Sequence, residues 1–243
     1  MEIKHLQKTT LIDYPGKIAC TIFLFGCNFR CGFCHNPELV KQNHKENYSI
    51  SEEEILEFLE KRKNQLEGVC FTGGEPLLTL KKEFVEKMKS LGYRIKLDTN
   101  GSFPEKLEEF IQKDLIDFVS MDIKTIPEEY QNLTNSDINN EKIEKSMNII
   151  ANSSKLEGYE FRTTILMSHH PEEKFEKMVE WLYNIINKEE GNNKIKKFSL
   201  QGFKNSGKLM NREYEKEPNT TESHLKKLEK ITKPYVEKVE IRE

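Results

Sequence analysis

Short apolar runs alternate with amphipathic stretches along most of the 243 residues, and this alternation predicts a repeating strand–helix unit. Because strands separated by helices pair in parallel through right-handed crossovers, we expect an α/β fold with a mostly parallel sheet. Eight such units would close a TIM barrel, so six of them predict a partial (β/α)6 TIM-like barrel. The six apolar runs rich in β-branched and aromatic residues are 18–25, 68–71, 93–97, 117–121, 159–165 and 195–200.

Apolar positions at helical spacing and capping residues predict the helices between these strands. Ser51 and Glu54 have the spacing of a capping box at the start of the first helix. A second helix is expected from about Thr79 to Gly92, where the glycine ends it. Further helices are expected after Pro104, over about 139–153, from about Pro171 to Asn187 and near 220–231, with a short helical turn at Pro127.

A chain of this length commonly forms one domain with its own core, so we expect a single domain over 1–243. Its core should cover about 9–203, and a C-terminal extension should cover about 204–243. The alternating segment 236–241 predicts an edge strand within that extension. The stretch 38–50 is polar and is expected to be irregular.

Charge and composition exclude several classes of function. Lysine and arginine number 38 against 41 acidic residues, and a net charge of −3 offers no general attraction for nucleic acid. No apolar run approaches the ~20 residues that span a membrane, and the N-terminus lacks the apolar segment of a signal peptide. We therefore expect a cytoplasmic protein with reduced cysteines and with no nucleic-acid or membrane partner.

Three of the five cysteines, Cys27, Cys31 and Cys34, follow the first predicted strand with the spacing C-x3-C-x2-C. The carboxyl ends of strands are where α/β proteins usually place their sites. Three thiols in one loop predict a soft metal centre, such as a cubane cluster with one iron lacking a protein ligand. A Cys3His zinc site with His35 as its fourth ligand is an alternative. Disulfides are disfavoured because such tight spacing in a long chain fits a metal or catalytic role better.

The next three predicted strands also end in polar or glycine-rich residues, at 72–76, 98–101 and 122–124. The two glycines of the first segment permit close approach of the backbone to a ligand. Asn100–Gly101 favours a turn, and Asp122 and Lys124 share one face of a strand. Each segment alone also fits a purely structural turn or an exposed ion pair. Their convergence at one edge of the sheet predicts a common site.

The residues Gly26–Pro37 read GCNFRCGFCHNP and, with the opening segment Lys8–Lys17, resemble the radical S-adenosylmethionine (SAM) superfamily. Within it they are most similar to the activating proteins of anaerobic ribonucleoside-triphosphate reductase, a family related to the pyruvate formate-lyase activating enzyme. The resemblance extends from about Thr9 to Ile241. It implies the same splayed barrel and an enzyme that generates a glycyl radical on a partner protein.

The resemblance implies one 4Fe-4S cluster on Cys27, Cys31 and Cys34, with SAM on the open iron and no catalytic residue beyond these two groups. With five cysteines the chain cannot carry the eight-cysteine ferredoxin insert of many relatives. At Gln201 the chain departs from the related enzyme, which has a histidine there; either Gln201 contacts SAM or Phe203 packs on adenine. The expected SAM-binding residues are Phe33, His35, Gly73, Gly74, Asp122, Lys124, Arg162 and Gln201.

The resemblance also implies a candidate monovalent cation site beside the SAM carboxylate, formed by Asp98, Thr99 and Asp122. Oxygen ligands of this kind suit a hard cation. The implied reaction takes an electron from flavodoxin or ferredoxin, cleaves SAM to methionine and a 5′-deoxyadenosyl radical, and removes a hydrogen from a glycine Cα of the partner. The segment Gly202–Asn219 is a candidate docking segment or, equally, an ordinary loop.

Two alternatives to this function stay open at the level of the sequence. One is a radical SAM enzyme that acts on a small molecule, since the deazaguanine-forming synthases share the glycine-cysteine-asparagine start of the motif. The segments Cys34–Pro37 and Asp98–Gly101 favour the activating enzyme instead. The other alternative is a non-catalytic Cys3His zinc protein. Cys20 and Cys70 lie inside predicted strands, where we expect core residues.

Overall fold

The computed structural model describes residues 1–40, 48–188 and 193–242. Across these residues one eight-stranded sheet follows the order of the chain, antiparallel between its first two strands and parallel between all the others. The first and last strands form the two edges of this sheet, so the barrel is partial. In chain order the strands are β1 Ile3–Thr10, β2 Ala19–Leu24, β3 Gly68–Gly73, β4 Arg94–Thr99, β5 Phe118–Asp122, β6 Gly158–Ile165, β7 Ile195–Gly202 and β8 Val236–Arg242.

The six predicted strands are present as β2 to β7, and the predicted edge strand is β8, which confirms the α/β class and the mostly parallel sheet. The hydrophobic pattern did not predict β1. Only Ile3 and Thr10, at its two ends, are buried, and the residues between them are partly or fully exposed. The strand therefore lacks the alternation by which half-buried strands are recognised.

The helices agree with the apolar periodicity except after β3. The predicted capping box is present, because Ser51 Oγ accepts from Glu54 N at 3.1 Å while Ser51 N donates to the Glu54 carboxylate. The helix expected from Thr79 is instead two helices, since Leu80 and Lys81 have extended backbone between them. The helices are α1 Glu52–Arg62, α2 Pro76–Thr79, α3 Lys82–Ser90, α4 Pro104–Gln112, α5 Tyr130–Thr134, α6 Asn140–Asn152, α7 Glu172–Ile186 and α8 Glu222–Thr232.

Short 3-10 helices occur at Pro37–Leu39, Pro127–Glu129 and Arg212–Lys216. The first and last of these were expected to be irregular or polar loops. Most of the remaining part of the expected irregular stretch 38–50, residues 41–47, lies outside the described residues. None of the helices in the described ranges is long and apolar enough to cross a lipid bilayer.

The two faces of the sheet differ in chemistry. The face toward the helices is apolar, and residues such as Leu97, Val119 and Phe161 are fully buried in the main core. The opposite face carries polar and charged side chains in register across the strands, such as Ser120 on β5 and Glu160 on β6. The helices thus bury one face of the sheet, while the other face lines the inside of the partial barrel and carries the candidate site.

Candidate active site

A cavity of about 200 Å³ lies at the carboxyl ends of β2 to β6. It is lined by the cysteine loop 26–36 after β2 and by the ends of the four strands that follow. Asn36, Thr72, Asn100 and Thr164 complete its lining. The sequence-predicted residues that line this cavity are Cys31, Phe33, Cys34, His35, Gly73, Gly74, Asp98, Thr99, Asp122, Lys124 and Arg162.

Two predicted residues lie beside this cavity rather than in its lining. Cys27 is half-buried behind the loop, where the Asn100 side-chain amide donates to its sulfur at 3.9 Å. Gln201 is exposed on β7, and its register partner on β6 is Thr164. Phe203, the other adenine candidate, is fully buried and packs on the His35 ring with centroids 5.3 Å apart.

The three loop cysteines are free thiols in a partly desolvated position. Burial raises the pKa of Cys27 to about 12 and that of Cys31 to about 11, and it also raises the pKa of Cys34. Without a metal these thiols would therefore stay protonated at neutral pH. Binding of a metal centre would have to displace their protons, which makes metal binding pH-dependent.

The donor set fits a polynuclear sulfur-bound centre better than a single metal ion. In the part of the chain that the structure describes, no three side chains from His, Cys, Asp and Glu lie close enough together to hold one ion. The Nε2 atom of His35 hydrogen-bonds the Lys204 carbonyl at 2.7 Å, so this nitrogen is already engaged and is not available as a fourth zinc ligand. An iron–sulfur cluster separates its thiolates by the cluster itself, so three cysteines on one loop suit it.

The glycine pair Gly73–Gly74 joins the end of β3 to the start of the cysteine loop. Gly74 N donates to Leu24 O at 2.9 Å, and Glu75 N donates to Gly26 O at 2.7 Å. A Cβ at Gly74 would lie 2.0 Å from Gly26 O, and Gly73 has a φ of +113°. Only glycines permit this approach and this backbone conformation, so the pair holds the two loops together.

Arg162 on β6 connects the carboxylates of two neighbouring strands. Its Nε donates to Asp122 Oδ1 at 2.6 Å, and its Nη1 donates to Asp98 Oδ2 at 3.4 Å. Lys124 Nζ donates to the second oxygen of Asp122 at 2.8 Å and lies 6.0 Å from the centroid of the Phe33 ring. The charges alternate along this side of the cavity. We call this row the charged wall; it consists of Lys124, Asp122, Arg162 and Asp98.

These charges fix the protonation states of the row. Burial alone would raise the pKa of Asp122, but Arg162 and Lys124 outweigh it and hold that pKa well below its usual range. Burial opposes the charge of Lys124, yet the Asp122 carboxylate raises the pKa of Lys124 above its usual value. The wall thus keeps an ionised carboxylate between two cations at neutral pH, an arrangement suited to a zwitterionic ligand.

Asp98 has a further partner that the sequence did not single out. Lys96 lies two residues earlier on β4, and its Nζ contacts the Asp98 carboxylate. Thr72 Oγ1 also donates to Asp98, at 3.3 Å. Thr99, expected beside Asp98 in a cation site, instead donates its hydroxyl to Glu75 Oε1 at 2.9 Å.

Glu75 is a positioning residue of the site that sequence reasoning missed, although it is part of the segment 72–76. Its side chain is fully buried, and its carboxylate also accepts from Asn100 N at 2.6 Å and from Leu77 N at 3.1 Å. Burial raises its pKa to about 7, against the lowering effect of these hydrogen bonds. Glu75 thereby ties the glycine segment to the end of β4.

Asn100 joins that strand end to the cysteine loop. Its side-chain amide donates to Asn28 Oδ1 at 3.0 Å as well as to the Cys27 sulfur, and its Oδ1 accepts from Ser102 N at 2.9 Å. The sequence had indicated only a turn here. The turn is present, and the same amide also holds Cys27 in place.

His169 and His170, adjacent residues before α7, have separate structural roles. His170 is buried, and its Nδ1 accepts from Leu166 N at 3.0 Å. Its Nε2 therefore carries the proton and donates to the Lys124 carbonyl at 2.9 Å. Burial lowers the pKa of His170 to about 4, so it stays neutral while it positions the backbone of Lys124. His169 stacks on Tyr214 with centroids 5.7 Å apart.

The segment 204–217 packs against the cysteine loop. Met210 N donates to Cys34 O at 3.2 Å, and Asn211 N donates to Gly32 O at 2.9 Å. The Tyr214 ring lies directly on Gly32, where an added Cβ would come within 2.3 Å of Tyr214 Cε2. This part of the expected docking segment Gly202–Asn219 therefore covers the loop that carries the thiols.

A profile of the Radical SAM superfamily matches residues 21–182 of this chain. The fold, the cysteine loop at the carboxyl edge of the sheet and this match together show that the chain belongs to the Radical SAM superfamily of enzymes.

Individual relatives agree with this assignment. A Methanocaldococcus jannaschii chain, provisionally named a glycyl-radical enzyme activating enzyme, is 32% identical over 249 residues, which cover 99% of this chain and 95% of that relative. The pyruvate formate-lyase-activating enzyme of Listeria monocytogenes is 34% identical over 142 residues, which cover 54% of this chain and 57% of the relative.

Among solved structures, the fold is similar to that of coproporphyrinogen III oxidase from Escherichia coli, which is described as a radical SAM enzyme. The TM-score is 0.58 at 14% identity, and the match covers 92% of this chain and 53% of that one. This likeness supports the fold and nothing finer.

Proposed function

We propose that this chain is a radical SAM activating enzyme that forms a glycyl radical on a partner enzyme, with anaerobic ribonucleoside-triphosphate reductase as the partner we favour. The observation that carries the proposal is the placement of Cys31 and Cys34 in one cavity with the glycine pair and the charged wall. Similarity over nearly its whole length to the M. jannaschii activating-enzyme relative supports the activating role.

In this proposal Cys27, Cys31 and Cys34 hold one 4Fe-4S cluster. When SAM is also bound, such a cluster would supply the low-potential electron that makes SAM a source of a hydrogen-abstracting radical. The electron donor is flavodoxin or ferredoxin. The protein itself supplies orientation, fixed charge and exclusion of water, and the segment 204–217 contributes the last of these by covering the cysteine loop.

The charged wall would orient the amino and carboxylate groups of SAM. Lys124 and Arg162 offer cationic donors to a carboxylate, while Asp122 between them offers an acceptor to an amino group. Gly73 and Gly74 also line the cavity, so backbone atoms rather than side chains would face the ligand there.

Phe33 and His35 on the cysteine loop and Gln201 on β7 would hold the rest of SAM. Phe33 and His35 line the cavity on the loop side. We assign Gln201 to the adenine end, because it shares a sheet face with Thr164, which does line the cavity. Gln201 would thus take the place of the histidine that the related pyruvate formate-lyase activating enzyme has at this position.

The test combines the reconstituted, reduced protein with SAM and purified anaerobic ribonucleoside-triphosphate reductase under anaerobic conditions. The expected result is a glycyl-radical EPR doublet on the reductase, absent with Cys31→Ser and absent when the reductase glycine is replaced by alanine. Cleavage of SAM without any radical on the reductase would contradict this choice of partner. The same samples, supplied with a deazaguanine precursor, would then test the small-molecule alternative.

A further inference from the structure

Lys96 is buried inside the barrel and is not explained by the roles described so far. Only 2% of its surface is exposed, and its Nζ contacts the Asp98 carboxylate. Lysine is almost never buried to this extent unless it is paired. Lys96 and Asp98 therefore form a buried ion pair on the polar face of the sheet, next to the cavity that Asp98 lines.

The two carboxylates of the wall already have a full set of cationic partners. Asp98 contacts Lys96 and Arg162, and Asp122 contacts Arg162 and Lys124. Three cations thus surround two carboxylates. A further cation placed between these carboxylates would meet a net positive environment and would have to displace one of the existing pairs.

The third expected cation ligand is also engaged elsewhere. The Thr99 hydroxyl donates to Glu75 at 2.9 Å and accepts from Gly101 N at 3.1 Å. The set Asp98, Thr99 and Asp122 therefore does not fit the monovalent cation that the family resemblance implies. The side chain that stands against Asp98 in its place is a lysine.

We propose that the Lys96 ammonium takes the place of a bound monovalent cation in this protein. An ammonium group has the charge of a potassium ion and a similar size, so it can help to neutralise Asp98 without displacing the Arg162 guanidinium, which lines the cavity. The consequence is that stability and SAM binding do not depend on potassium or sodium. The stability part is independent of the proposed function; the SAM-binding part rests on it.

The first test measures thermal unfolding of the protein without cluster in potassium, sodium and choline chloride at equal ionic strength. The wild type should unfold at the same temperature in all three salts. Lys96→Met leaves Asp98 with Arg162 and the Thr72 hydroxyl as partners, so the Tm of the variant should fall on the order of 5–10 °C in choline and recover partly in potassium or sodium. Lys89→Met, which breaks the Lys89–Asp117 pair on the other side of the sheet, is the matched control and should show no recovery.

The second test titrates SAM into the reconstituted protein in the same salts. Wild-type affinity should be equal in all of them, whereas Lys96→Met should bind SAM about 5-fold or more tightly in potassium than in choline. The variant Lys96→Met/Asp98→Asn removes both charges, so its Tm should no longer respond to the cation.

A wild-type protein that needs potassium or sodium for its stability or for SAM binding would overturn the proposal. So would a folded Lys96→Met protein whose Tm is the same in all three salts. If Lys96→Met does not fold, the wild-type comparison still decides the question. If the wild type binds no SAM in any salt, the proposed function fails, while the stability result for Lys96 still stands on its own.

Discussion

Arg162 Nε donates a 2.6 Å hydrogen bond to Asp122 Oδ1, and the two residues are register partners on the neighbouring strands β6 and β5. Parallel pairing alone brings these side chains to the same edge and the same face of the sheet. Lys124 Nζ holds the other oxygen of Asp122 at 2.8 Å. The charged wall of the cavity therefore follows directly from strand register.

Asp122→Asn should weaken both the fold and SAM binding, because it leaves Lys124 and Arg162 without their shared carboxylate. The site is partly exposed, at 24% for the Asp122 side chain, so we expect a loss of roughly 2 kcal/mol in the free energy of unfolding rather than the full cost of a buried pair. SAM affinity should fall about tenfold or more. Urea unfolding and SAM titration measure the two effects.

The control for this variant is Asp114→Asn, which breaks an exposed pair with Lys155 and should cost no more than about 0.5 kcal/mol. Equal losses in the two variants would contradict the role given to Asp122. Because the pKa of Asp122 is lowered in the folded state, its contribution should persist above about pH 4 and disappear as the pH falls below it.

Gly74→Ala should displace the cysteine loop. The added Cβ would lie 2.0 Å from Gly26 O. The two backbone segments can separate only by breaking the hydrogen bonds from Gly74 N to Leu24 O and from Glu75 N to Gly26 O. We expect a loss of about 1–3 kcal/mol in stability and a lower iron content after reconstitution. Gly202→Ala is the control, since its nearest neighbour would be 3.4 Å away. Normal iron content and SAM binding in Gly74→Ala would refute this account of the glycine pair.

Glu75 should make the stability of the protein depend on pH. Its pKa rises from the ordinary 4.5 to about 7 in the folded state, so the folded protein holds a proton that the unfolded chain releases in this window. The free energy of unfolding should therefore fall by about 3 kcal/mol as the pH rises from below 4.5 to above 7.

The measurement compares wild type with Glu75→Gln in urea at pH 5 and pH 8. Glutamine does not titrate, so the stability of the wild type relative to the variant should decrease by about 2–3 kcal/mol between these values. Parallel pH profiles of the two proteins would show that Glu75 does not carry the raised pKa.

Tyr214 and Gly32 should be coupled. Gly32→Ala drives a methyl group into the Tyr214 ring, at a cost of about 1–3 kcal/mol. Adding Tyr214→Ala should remove that clash, so a double-mutant cycle should give a coupling of about 1 kcal/mol or more. Tyr214→Ala should also speed loss of the reconstituted cluster to a chelator, whereas Tyr214→Phe, which keeps the ring, should not. Additive effects of the two substitutions would contradict the contact.

Much of the site could be predicted because the end of each strand can be recognised from the local sequence. The cysteine loop and the glycine pair each follow an apolar run, and parallel pairing brings such ends together whatever lies between them. The register that pairs Asp122 with Arg162 is less visible in the sequence, since it depends on how two strands align. The sequence alone therefore does not decide whether Arg162 faces the cavity or solvent.

The rest depends on contacts that no local pattern encodes. Lys96 stands in an alternating strand, where a lysine ordinarily indicates a solvent-facing side chain, yet it is buried against Asp98. Tyr214 reaches Gly32 from a polar segment late in the chain, and β1 lacks an apolar alternation altogether. These features arise from tertiary packing, which overrides local propensity.

The most direct test of the central claim is anaerobic EPR of the reconstituted, dithionite-reduced protein, recorded with and without SAM. We expect the signal of one reduced 4Fe-4S cluster, a change in its shape when SAM is added, and loss of the signal in Cys34→Ser. A colourless protein that binds one zinc ion and gives no signal would exclude a radical SAM enzyme, and so would a cluster whose spectrum is the same with and without SAM.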